Sequence, residues 1–192
     1  MRKRVLALFA FSALAAAVVV VPSAGAVSSK FDWHVADAFI QEGTGLAQSG
    51  ATAGADNGDV ARVSGSGTFN PSSGTATGGG VFAHTDADGD LVGFGTWTAT
   101  GVESFELFGC GGDFPPNFCG GVLVLDVTLD GVSVAAGQVS GVAGVLTITC
   151  LIGEGATGEE GITLEIPGVI DFDETLVGEP SGLTLFVSRS KS

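Results

Sequence analysis

The chain has 192 residues, 32 of them glycine, with 7 basic side chains against 21 acidic ones. That length allows one domain of ordinary size, and a hydrophobic fraction of 45% excludes global disorder. Two histidines and three cysteines leave little with which to build most catalytic or transition-metal sites.

The chain opens on an address. Arg2, Lys3 and Arg4 precede a run, Val5 to Val21, that is apolar except for Ser12. Pro22 breaks the run, and Ala24-Gly25-Ala26 supplies the small-residue pattern read by signal peptidase. Residues 1–26 therefore read as a cleaved signal peptide; the rival is a retained anchor, since the run just reaches the length needed to span a bilayer. No cysteine follows Ala26 and no twin arginine precedes the run, which points to export unfolded and without a lipid anchor. The expected location is secreted or extracellular, with the periplasm as the alternative.

Cleavage removes three bases and leaves four against 21 acids, a net charge of −17. Such a surface repels phosphate backbones and anionic headgroups, so nucleic acid is not an expected partner. Membrane insertion after cleavage is not expected either. An outer-membrane barrel fits poorly, because the chain has no Tyr for aromatic girdles.

Period-two alternation then predicts strands in chain order. They fall at Val60 to Phe69, Thr75 to His84, Leu91 to Thr100, Gly121 to Asp130, Gly144 to Ile152, Ile162 to Ile166 and Leu183 to Val187. Val132 to Ala136 and Val169 to Val177 are weaker candidates. In Gly121 to Asp130, Leu123, Leu125, Val127 and Leu129 share one face, while Asp126, Thr128 and Asp130 take the other. Helical periodicity is absent after the signal, with Phe31 to Gln41 ambiguous. Residues 27–192 read as a single all-β domain, an antiparallel β-barrel or β-sandwich of roughly eight to ten strands. Residues 42–58, rich in Gly, Ala, Thr and Ser, read as a mobile loop.

Two segments share a Gly-x-Gly-Thr-aromatic pattern, Gly65 to Phe69 and Gly93 to Trp97. Glycines at i and i+2 face the same way, where they permit sharp bending or let a ring lie across the backbone. That tilts the expectation towards a barrel. Asn70-Pro71-Ser72-Ser73-Gly74 and Asp56-Asn57-Gly58-Asp59 read as turns.

Candidate sites are few. Asp86, Asp88 and Asp90 place carboxylates at alternating positions on a short loop, which is how a calcium ion is approached. The match to a helix-loop-helix calcium loop stops there, because Leu91 takes the glycine position and Trp97 that of the bidentate acid. The competing reading is a hairpin turn centred on Asp88-Gly89. Calcium is the one cofactor the sequence suggests, and the turn explains the same residues.

Cys110 and Cys119 bracket Gly111 to Phe118, and export would permit a disulfide. Closing that short loop would stabilise the fold by about 2.5–3 kcal/mol. Cys150 lies on the inward face of its predicted strand with Ile148 and Ile152, so it reads as a free buried thiol. The rival pairings join Cys150 to either partner and leave the other exposed.

Catalytic signals are thin. Gly131 to Ala135 nearly matches a nucleophile elbow but ends in Ala and lacks the strand-to-helix turn. His34 and His84 read as surface residues on strands, Glu103 and Glu106 as an accidental acid pair, and Trp97 as core, while Trp33 is a candidate for stacking on sugar rings. The first functional expectation is an exported, acidic, non-catalytic β-domain that binds a small apolar molecule or a protein partner. A passive envelope or matrix component, calcium-stabilised or not, is the alternative. A carboxylate-based hydrolase is the third; it requires acids gathered beside His34 or His84.

Overall fold

The computed structural model describes residues 30–176 and 182–189. The expected signal peptide, the last residue of the Val169 to Val177 candidate strand and the extreme C-terminus lie outside the described residues. Eleven strands and one helix follow in order: β1 Phe31–Val35, α1 Ala38–Thr44, β2 Ala51–Gly54, β3 Val60–Asn70, β4 Thr75–Thr85, β5 Leu91–Cys110, β6 Phe118–Ser133, β7 Gly137–Cys150, β8 Gly161–Ile166, β9 Ile170–Phe172, β10 Glu174–Thr175 and β11 Thr184–Ser188. The all-β expectation holds.

Each ladder is antiparallel, and all strands belong to one sheet. One path runs β10-β2-β3-β1-β11-β6-β7-β8-β9, and β4 and β5 join β3 to β6 by a second route. The pairings β3–β4–β5–β6–β11–β1 thus return to β3. Two features let them do so. The 20-residue β5 shifts register against β6 between Ala99 and Gly101, Val102 and Ser104, and Leu107 and Gly109. Such irregularities bend a strand and increase its twist. The N-terminal end of β6 then pairs with β11, while the rest of it pairs with β7.

The second feature is the glycine pattern. A Cβ at Gly67 would lie 2.6 Å from the Trp33 ring, and one at Gly65 would lie 2.9 Å from the Trp97 ring. Glycine is required there because the β4 carbonyls of Thr77 and Gly79, together with the two indoles against the β3 backbone, leave no room for a Cβ. They stack on each other with centroids 5.1 Å apart and fill the middle of the core. Trp33 is fully buried, so it is not available to stack on a sugar. Below them Phe69 packs against Phe31 at 5.2 Å, Phe105 at 4.8 Å and Phe186 at 5.8 Å. The alternation read in β6 is realised: Leu123, Leu125, Val127 and Leu129 are buried and Asp126 is exposed.

Three expectations need correction. Among the described residues the strands number eleven: β1 and β2 are additions, the Val169 to Val177 candidate divides into β9 and β10, and Val132 to Ala136 is the end of β6 and its turn and not a strand of its own. Residues 42–58 are not a featureless loop: they hold the end of α1 and strand β2, whose four residues are all buried. Small side chains that suggest a loop are here a strand packed where larger ones would not fit. Phe31 to Gln41 resolves into β1 and α1, a helix too short to show a period. Asp37 caps it by accepting from the Ile40 N–H at 3.1 Å, and Gly45 ends it at φ 71°.

Candidate functional site

Packing around Trp97 leaves only about 10 Å³ in the interior, and two apolar cavities open near the two ends of β5. β5 starts beside one and ends beside the other. At the first end gather the turns after β4, β6 and β8. A cavity of about 530 Å³ opens there, walled by apolar side chains that include Phe82, Leu129, Val139, Val142, Ile166 and Phe172. Its polar edge is His84, whose Nε2 lies 2.7 Å from Asp59 Oδ2 and whose ring meets Phe172 edge-on at 5.1 Å. Register builds this pair: His84 sits opposite Ala61 on β3, two residues after Asp59.

At the other end the β5–β6 connection folds over a second cavity of about 400 Å³. Phe39 and Ile40 of α1, Phe114 and Pro115 of the connection, Phe118 of β6 and Leu185 of β11 supply apolar walls. Cys150 and Glu160 also line it. Cys110 and Cys119, directly opposed on β5 and β6, form a disulfide at the root of the connection. Cys150 is a buried free thiol, and burial, with the Glu160 charge beside it, pushes its pKa up to about 12. It is therefore a protonated, unreactive side chain at neutral pH.

Glu160 is the unusual group. Burial raises its carboxyl above the ordinary range, although the N–H groups of Thr184 and Leu151 pull it partly back. The Thr184 N–H donates to Oε1 at 3.2 Å. Near this end His34 Nδ1 lies 2.6 Å from Asp37 Oδ2, and the His34 ring stacks on Phe39 at 4.3 Å. Burial pushes Asp37 up, but the hydrogen bonds from His34, the Ile40 N–H and Ser66 outweigh it and hold the carboxyl low.

The sequence-derived candidates fall as follows. Asp86, Asp88 and Asp90 occupy the β4–β5 turn, where Asp86 Oδ1 accepts the N–H groups of Asp88 at 3.0 Å and Asp90 at 2.9 Å. Gly89 takes φ 86°, as a tight turn requires. Among the described residues no group of three His, Cys, Asp or Glu side chains is placed to hold a metal ion. Ser133 Oγ accepts the Ala136 N–H at 3.2 Å in the β6–β7 turn, which explains the elbow-like segment. Glu103 and Glu106 are exposed on β5.

The histidines overturn their expectation. Both are mostly covered, with side chains 14% and 20% exposed, and each is held by one aspartate. His34 and Asp37 lie three residues apart, so that pair was open to a local reading through the helix cap; His84 and Asp59 meet only across a strand pair. Acids do gather at a shallow cleft lined by Asp56, Glu159, Asp173 and Glu174, but no histidine lines it. Comparison with known families, characterised proteins and solved structures finds no significant match, so the reading rests on the site's own chemistry.

Proposed function

We propose that this chain is an exported, non-catalytic binding protein whose sheet closes as a barrel and takes a small apolar molecule at its hairpin end. The circuit of pairings through β3, β4, β5, β6, β11 and β1 supports the barrel. The single observation that carries the binding reading is the cavity of about 530 Å³ with apolar walls and one polar edge, His84 on Asp59. Its size and composition match those of small-molecule sites, in which apolar area supplies affinity and few polar groups fix orientation. The interior proper is filled by the two indoles, so the ligand sits at the mouth.

N-phenyl-1-naphthylamine, neutral and fluorescent in apolar surroundings, tests this. Saturable one-to-one binding is expected, and it should be lost in Val142→Trp, which fills the cavity from β7. Absence of saturable binding, or equal binding by Val142→Trp, would sink the reading.

One observation favours the envelope or matrix alternative. Val81, Phe94 and Val132 are 55%, 48% and 41% exposed on neighbouring strands β4, β5 and β6. An apolar row of that kind suits self-association. Sedimentation at rising concentration separates the two: a monomer throughout argues against the alternative.

A further inference from the structure

We propose that the cavity beneath the β5–β6 connection is a second, separate site for a small organic cation, an alkylammonium, held by Glu160 and the rings of Phe39, Phe114 and Phe118. It does not depend on the reading of the hairpin-end cavity, from which it differs in residues, position and ligand charge.

A carboxylate withdrawn from water costs free energy unless a cation or several donors answer it. Among the described residues Glu160 is met by backbone N–H groups, that of Thr184 at 3.2 Å, and by no cation. Among the described residues the ion pairs are His34–Asp37, His84–Asp59 and Arg189–Asp32, and none reaches Glu160. It lines a cavity of about 400 Å³, so the missing positive charge has room to arrive from outside.

The walls select among cations. Calcium and magnesium need several oxygen donors, and one carboxylate cannot replace their hydration shells. Three phenylalanines from three different elements line the same space: Phe39 from α1, Phe114 from the connection and Phe118 from β6. Phe39 and Phe118 lie 6.2 Å apart, and Phe39 and Phe114 are 43% and 54% exposed. Aromatic rings attract organic cations through their quadrupoles, and the attraction grows as water is excluded. Ile40, Ile152, Leu183 and Leu185 would cover the alkyl body. An anion is rejected twice, by Glu160 and by the negative field of the chain.

The purified chain is titrated calorimetrically with hexylammonium, 1-hexanol and hexanoate at matched ionic strength. Hexylammonium should bind about tenfold tighter than 1-hexanol, and hexanoate weakest. Glu160→Gln should abolish the preference for the ammonium while keeping the affinity for 1-hexanol, which also shows that the variant is folded. Glu103→Gln, at an exposed acid, should keep the preference and so exclude general charge attraction. Phe114→Ala, on the exposed connection, should weaken hexylammonium by about threefold. The proposal fails if 1-hexanol binds as tightly as hexylammonium, if Glu160→Gln keeps the preference, or if Glu103→Gln removes it. Naphthylamine binding in Glu160→Gln reports the hairpin-end cavity independently.

Discussion

The two end cavities are similar in size and in their apolar walls, yet each treats its carboxylate differently. At the hairpin end Asp59 has a side-chain partner within the chain, the His84 ring nitrogen at 2.7 Å. At the disulfide end Glu160 has, among the described residues, backbone donors alone. The difference teaches that apolar area makes a cavity, while the state of its one charge decides what enters. A carboxylate bonded to a side chain leaves a polar edge suited to neutral ligands; one held by backbone donors has room for a counterion.

The comparison breaks most severely if the shared core is removed. Trp33→Ala should cost about 3–5 kcal/mol in urea unfolding, because a large ring packed between β3 and Trp97 leaves a void. Both ligands should be lost together. If one survives unchanged, the two ends are less dependent on the common core than their shared strands indicate.

Removing the disulfide should separate the ends. Cys110→Ser with Cys119→Ser should cost about 2.5–3 kcal/mol in the chain-entropy model. The connection carrying Phe114 loosens, so hexylammonium binding should weaken while naphthylamine binding holds. Equal losses at both ends would mean that the bridge acts on the whole sheet.

Acid titration sharpens the contrast within the disulfide end. Asp37 is held below its ordinary value of 3.8, so its contribution is present above that pH and fades as pH falls through the lowered value. Asp37→Ala should cost about 1 kcal/mol at neutral pH as a lost cap, and the gap from the parent should close in strong acid. Glu160 has the opposite sign. Its carboxyl is raised above 4.5, so the folded chain holds the proton more tightly and loses stability as pH rises from 4.5 through the raised value. Glu160→Gln should flatten that loss. A parallel pH dependence of the two variants would contradict the assigned environments.

The smallest effect concerns calcium. With Asp86 Oδ1 already accepting two N–H groups, calcium and magnesium should shift the thermal midpoint equally at matched ionic strength. A calcium-specific rise, lost in Asp88→Asn, would instead make Asp86, Asp88 and Asp90 a metal site.

Much of the sheet was legible because alternation is local. β3, β4, β6 and β8 come close to the runs that predict them, and the disulfide joins the two cysteines separated by nine positions. Of the two Gly-x-Gly segments, read as places for bending or for a ring on the backbone, Gly65 and Gly67 carry the Trp97 and Trp33 rings, whereas Gly93 and Gly95 lie against the β6 backbone. Strand β2 was not legible, because alanine and glycine carry no alternation of size. Nor was the extent of β5, whose bulges break the period where the strand continues.

The cavities were beyond reach for a related reason. Which runs alternate and where the turns fall could be read from the linear order, since each depends on residues a few positions apart. Glu159 and Glu160 are neighbours with the same side chain, and nothing in the linear order distinguishes them. Packing leaves Glu159 exposed and places Glu160 against Cys150 of β7 and the Thr184 N–H of β11. That distinction comes from packing, because the cost of ionising a carboxyl depends on the groups and water around it, and elements distant in sequence supply them.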